Sequence, residues 1–134
     1  MKVMKNMKNT SRHFSELSSR VIGCAIEVHR TLGPGLLEST YQKCLAHELS
    51  RNGISFKIEQ PLPVVYKDIK LDCGYRIDLF VEGEIIIELK SVEKLLPIHE
   101  AQLLTYLKLA KVKQGFLVNF NVARLKDGLK SYVL

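Results

Sequence analysis

The chain has 134 residues, 46% of them hydrophobic, and a net charge of +6. That length suits one domain with its own core. No apolar run approaches the roughly 18 residues a membrane span needs, and no apolar stretch follows the basic N-terminus, so neither a membrane protein nor a secretory signal is expected. The cysteines Cys24, Cys44 and Cys73 are odd in number and form no C-x-x-C, which points to reduced thiols and a cytoplasmic protein. The basic balance admits a nucleic-acid partner without requiring one.

Residues 1–12 are polar and lysine-rich and read as a flexible basic tail ahead of one domain over 13–134. Leu17, Val21, Ala25, Val28 and Leu32 recur at helical spacing, which predicts an amphipathic helix over Phe14–Leu32. Gly33-Pro34-Gly35 breaks it. A second helix is predicted over Leu36–Asn52, with Leu37, Tyr41, Cys44, Leu45 and Leu49 inward and Gly53 as its stop. Ile54–Gln60 and Val64–Tyr66 are extended, with Pro61 and Pro63 making their join irregular. Lys67–Asp72 is polar and predicts a turn.

Two apolar strands follow, Tyr75–Val81 and Glu84–Lys90, each carrying acid where a core strand should carry none. Residues two apart in a strand share a side, so Glu88 and Lys90 lie on one face. A three-residue loop Glu82-Gly83-Glu84, with Gly83 left-handed, sets Val81 against Ile85, Leu79 against Ile87 and Asp78 against Glu88. Ile77, Leu79, Val81, Ile85, Ile87 and Leu89 then form one apolar face. A two-residue turn would oppose Asp78 to Ile87 and mix the faces. Beyond the hairpin, Pro97 opens a third helix over Ile98–Ala110, with Ala101, Leu104 and Leu107 inward. Gln114–Asn119 is a last buried strand, and Val122–Leu134 reads equally as helix or strand.

The paired acids suit a hard cation such as Mg²⁺, which prefers carboxylate oxygens and keeps several waters; the carbonyl of Leu89 offers a further oxygen. A cation held there would neutralise a phosphate oxygen and acidify a water, with Lys90 beside it as a point charge for the water or the transition state. An acid-acid-lysine trio thus suits phosphodiester hydrolysis. Glu-x-Lys alone is a weak signal, and Asp68-Ile69-Lys70 repeats its form in a polar turn where charges are simply solvated. The competing reading is a strand-end salt bridge, Glu88 with Lys90 or with Arg76. Glu38 opens the second helix, where a plain helix-dipole role competes with a site role. Gln102 and Tyr106 share a stripe of the third helix, able to hydrogen-bond a water, a phosphate or Lys90. His99 reads as a cap residue, and Asn119 and Asn121 as partners of turn backbone.

At these residues the sequence resembles the GxxExxY proteins. Gly35-x-x-Glu38-x-x-Tyr41 matches their signature, and the likeness continues through Tyr75–Leu79, Ile87–Lys90, Leu95–Lys108 and Leu117–Asn121. That family resembles a branch of the PD-(D/E)XK nuclease superfamily. The resemblance implies an α/β (α+β) restriction-endonuclease-like fold: a central mixed sheet flanked by helices in α-β-β-β-α-β order, here with an extra N-terminal helix. It implies Asp78, Glu88 and Lys90 as the catalytic motif, Glu38 with Asp78 and Glu88 as metal ligands, and Gln102 as the glutamine some branches carry. One departure is visible: Ile77 stands where the motif has proline.

The reading is a nuclease that uses Mg²⁺, with Mn²⁺ able to substitute, and hydrolyses phosphodiester bonds of DNA. Tyr41, Tyr106 and Lys94 are expected to position substrate, and Lys108, Lys111 and Lys113 to meet phosphates. A homodimer or a partner protein is the natural source of a DNA-reading element in so short a chain. The alternatives are a catalytically silent nucleic-acid-binding or protein-interaction module on the same fold, and a purely structural cluster in which Lys90 neutralises Glu88.

Overall fold

The computed structural model describes residues 2–3 and 12–134, with side chains from residue 16 onward. Of the expected flexible tail over 1–12, Lys2 and Val3 pair with the last strand and Arg12 opens the first helix, and the rest lies outside the described residues. In chain order the elements are β1 (Lys2–Val3), α1 (Arg12–Leu32), α2 (Glu38–Arg51), β2 (Phe56–Pro61), β3 (Val64–Tyr66), β4 (Ile69–Leu71), β5 (Arg76–Val81), β6 (Ile85–Lys90), α3 (Pro97–Ala110), β7 (Gln114–Asn119), a 3₁₀ turn (Leu125–Asp127) and β8 (Leu129–Val133).

One mixed sheet runs in the order β1-β8-β7-β6-β5-β2. Among the described residues only β6 and β7 pair in parallel, because α3 lies between them in sequence and returns the chain to the same end of the sheet. The other pairs in this sheet are antiparallel. β6 and β7 are covered on both faces, which is why both read as continuous apolar runs. On one face Leu79, Val81, Ile85, Ile87, Leu89, Phe116 and Val118 pack under α1 and α2. On the other, Ile86, Leu117 and Tyr132 pack under Leu103, Tyr106 and Leu107 of α3. The expected α/β sandwich with an extra N-terminal helix is the observed fold, extended by β8 and by a small β3–β4 hairpin outside the main sheet.

The hairpin register follows the hydrophobic pattern: Val81 faces Ile85 and Leu79 faces Ile87, with Gly83 at φ +66° in the turn. Several expectations are corrected. Ile77 joins the α3-side core rather than the α2-side layer, since β5 parts from β6 beyond Leu79 and no longer follows its pleat. Leu37 is 73% exposed because it stands ahead of α2 as the residue before its first turn. Ala101 is exposed and Leu104 only half-buried; the inward stripe of α3 is Leu103, Tyr106 and Leu107 instead. Lys67–Asp72 is not all turn: Lys67 and Asp68 turn at positive φ, and Ile69–Leu71 pairs back onto β3.

Candidate active site

The site grows from the point where β5 and β6 part. Backbone pairing stops at Leu79 and Ile87. At the next rung the carboxylates take over the bonding. The Asp78 amide donates to Glu88 Oε2 at 3.1 Å, and the Leu89 amide donates to Asp78 Oδ2 at 2.8 Å. Two acids are thus held side by side, each fixed through one oxygen, at the end of a buried hairpin. Glu88 is buried and Asp78 half-buried.

Electrostatics record the cost of that placement. Burial, and then the negative charge of Asp78, push the Glu88 carboxyl up from its ordinary 4.5 to about 8. Burial also raises Asp78; the Leu89 amide opposes that rise, while Glu59 and Glu38 add to it. The Lys90 ammonium is near enough to favour the charged form of both acids. Neither strand-end salt bridge is formed among the described residues. Arg76 turns instead to Asp72 at 3.6 Å and to the Tyr75 carbonyl at 2.9 Å. Lys90 therefore stands beside the acids without being locked to either.

Glu38 begins α2 and reaches the far end of β6, where its Oε2 accepts from the Ser91 amide at 3.1 Å. Ser91 in turn donates its hydroxyl to the Leu36 carbonyl at 2.6 Å. On the other side Asn119, buried at the end of β7, donates to the Val92 carbonyl at 2.9 Å and accepts from the Val92 amide at 3.1 Å. The Phe120 amide donates to the Lys90 carbonyl at 2.9 Å. The chain leaving Lys90 is thus clamped between the start of α2 and the end of β7. Asn119 does hold turn backbone, as its sequence position suggested.

A cleft of about 250 Å³ opens beside the acids, lined by Glu38, Ser39, Gln42, Glu59, Asp78 and Leu89. Gln42 and Glu59 were not singled out from sequence. The Gln42 amide nitrogen donates to Glu59 Oε2 at 2.7 Å and to the Asp78 carbonyl at 2.9 Å. Gln42 lies four residues after Glu38, so the helical stripe carried the signal. Glu59 gave none: it sits in β2 at φ +52°, which breaks the alternation a strand reading relies on.

The α3 residues approach from the opposite face. Gln102 donates to the Tyr106 hydroxyl at 3.2 Å. Burial raises the Tyr106 phenol, and the charge of Glu88 raises it further, which puts Tyr106 within electrostatic reach of the acids. His99 is a cap, its Nδ1 accepting from the Leu96 amide at 3.0 Å. Lys94 is exposed. Tyr41 does not face the cleft. It is fully buried and stacks on Phe120 at 4.4 Å; its hydroxyl donates to the Gly33 carbonyl at 2.5 Å and accepts from the Leu36 amide at 3.2 Å. A phenol so engaged holds the loop before α2 and has no surface left to position a substrate.

A family model described as the PD-(D/E)XK nuclease superfamily matches residues 15–132. The chain belongs to this superfamily. No curated protein and no solved structure matches it significantly. Superfamily members typically use divalent metals, so the donor set has to be tested against one. Among the described residues no group of three or more His, Cys, Asp or Glu is gathered to hold a metal by itself. Asp78 and Glu88 supply two adjacent carboxylates, and Glu38 lines the same cleft as Asp78 with one oxygen taken by the Ser91 amide. Two carboxylates plus waters fit Mg²⁺, which dehydrates reluctantly and seldom takes an all-protein cage. The two high-pKa acids fit the same group, since a cation offsets both their burial and their repulsion.

Proposed function

We propose that the chain is a divalent-metal-dependent nuclease that hydrolyses phosphodiester bonds of DNA in the cytoplasm. The observation that carries this reading is the opened rung of the hairpin, where Asp78 and Glu88 sit together beside an unlocked Lys90. The Gly35-x-x-Glu38-x-x-Tyr41 run supports placing it in the GxxExxY branch: Gly35 turns at φ +101°, Tyr41 ties the loop, and Glu38 reaches the end of the active strand.

Asp78, Glu88 and Glu38 would hold Mg²⁺ or Mn²⁺. When bound, the cation supplies charge neutralisation at a phosphate oxygen and acidifies the attacking water. The Leu89 amide keeps the Asp78 carboxylate oriented. Lys90 stabilises charge developing on the phosphoryl oxygens and places the water. Gln102 and Tyr106 offer hydrogen bonds to substrate or water from the α3 side. Lys94 contributes positive charge for backbone phosphates, a contact whose affinity falls steeply with salt.

A catalytically silent nucleic-acid-binding or protein-interaction module on the same fold is favoured by one observation, the lack of a ready-gathered three-acid group among the described residues. One assay separates the two readings. Plasmid, linear duplex, single-stranded and branched DNA, and RNA, are incubated with Mg²⁺ or Mn²⁺ alongside Lys90→Ala. The nuclease reading expects cutting by the parent protein that Lys90→Ala abolishes while keeping its fold. Absence of cutting on every substrate, with folding and metal binding intact, would establish the silent module instead.

A further inference from the structure

A second concavity lies on the α3 side of the acids. It is a groove of about 560 Å³ whose lining includes Val64 at the base of the β3–β4 hairpin, Tyr75, and Ile98, Gln102, Thr105 and Tyr106 of α3. Its walls are mostly apolar but not uniformly so. Tyr75 is 43% exposed and meets Tyr106 edge-on at 6.0 Å between ring centroids. Gln102, Thr105, His99 and the two tyrosines bring polar groups to its lining. The β3–β4 hairpin contributes Val64 to the lining. An exposed aromatic ring beside hydrogen-bonding side chains matches what a nucleotide base offers, a face to stack and an edge to hydrogen-bond.

The groove shares no lining residue with the cleft beside the acids, but it lies close to them. Tyr75 stands three residues before Asp78 on an extended segment, roughly 10 Å along the chain, about the reach from a phosphate to a base near it. Tyr106 lines the groove and lies within the field of Glu88 and Asp78.

We propose that this groove takes an unpaired base of the substrate strand, stacked against Tyr75, next to the scissile phosphate. The inference rests on the nuclease reading for where that phosphate lies. It makes single-stranded DNA, or the splayed end of a duplex, the substrate class, because a base stacked inside an intact duplex presents no free face to a concave wall.

The test measures binding in EDTA, so that no cleavage intervenes. The probe is a short single-stranded DNA containing one 2-aminopurine, compared with the same sequence as a blunt duplex. The parent protein is expected to quench the single-stranded probe and to bind it more tightly than the duplex. Tyr75→Ala should lose about ten-fold or more in single-strand affinity, and Tyr75→Phe should keep it. Equal single-strand binding by Tyr75→Ala and parent overturns the groove, as does a failure of the parent to bind the single strand. A concentration-dependent dimer that Tyr75→Ala dissolves, with no effect on the probe, assigns the groove to a second copy and also overturns it. Metal-dependent cutting with unchanged binding in Tyr75→Ala would leave the nuclease standing and remove the groove alone. Quenching that Tyr75→Ala abolishes, with no cutting by the parent, would keep the base-binding groove and overturn the scissile phosphate beside it.

Discussion

At the scale of single residues, the site is a balance of charges held where water is scarce. Glu88 has the clearest consequence. In the metal-free protein its carboxyl is raised from 4.5 to about 8, mainly by burial. The folded chain then binds more protons than the unfolded chain between those values, so stability must fall as pH rises through that window. Below pH 4.5 the penalty is absent; above about 8 it is fully present. Glu88→Gln keeps an oxygen for the Asp78 amide and removes the charge. In EDTA the variant is expected to match the parent near pH 4.5 and to exceed it at pH 8, by on the order of a few kcal/mol. Urea unfolding at three pH values would read the difference, and parallel curves for both proteins would refute the assignment. Asp78, Glu88 and Lys90 were legible because an acid in an apolar strand is anomalous, and the hairpin register paired the anomalies. Gln42 was legible only through its spacing from Glu38. Glu59 was hidden by a left-handed backbone in an edge strand, which no alternation rule anticipates.

At the scale of elements, the helix order and the central hairpin could be read because periodicities of 3.6 and 2 are distinct over long apolar stretches. The shorter pieces could not. Ile69–Leu71 is three residues long and exposed throughout, so neither burial nor alternation marks it as a strand. β8 ends in a mixed pattern and is defined by its pairing with β7, a long-range fact. The loop between α1 and α2 shows how an element delivers a side chain. Tyr41 ties Gly33 and Leu36 through one hydroxyl, and Leu36 also takes the Ser91 hydroxyl. That loop therefore fixes where α2 starts and where Glu38 lies against the end of β6. Tyr41→Phe keeps the stack on Phe120 and deletes both phenol bonds. The expected loss is about 1–2 kcal/mol of stability, seen as a lower urea midpoint at unchanged slope, together with weaker cleavage by the proposed nuclease although the residue is buried away from the cleft. An unchanged midpoint would show that the loop is held by its neighbours without the phenol.

At the scale of the whole molecule, the sheet brings together groups that are far apart in sequence. Glu38 arrives from the start of α2, Glu59 from an edge strand, Asp78 and Glu88 from the central hairpin, and Asn119 from the far side of a parallel crossover. The outcome is a concentration of negative charge at one end of a protein whose net charge is +6. Such an arrangement lowers the stability of the metal-free fold and raises that of a cation-bound one, so folding and metal binding must be linked. At ten times its dissociation constant, Mg²⁺ should add about 1.4 kcal/mol to the parent, a rise of several degrees in Tm for a chain of this size. Asp78→Asn keeps an acceptor for the Leu89 amide while losing one of the two carboxylate charges, so its gain should be smaller. The gain should also grow from pH 6 to pH 8, since Glu88 begins to give up its proton over that range and a protonated carboxyl is a poor ligand. Thermal melts of both proteins, with and without Mg²⁺ at the two pH values, read all three effects together. Equal shifts in parent and variant would mean that the cation acts elsewhere on the surface, and the paired acids would then need another explanation for the charge they hold out of water.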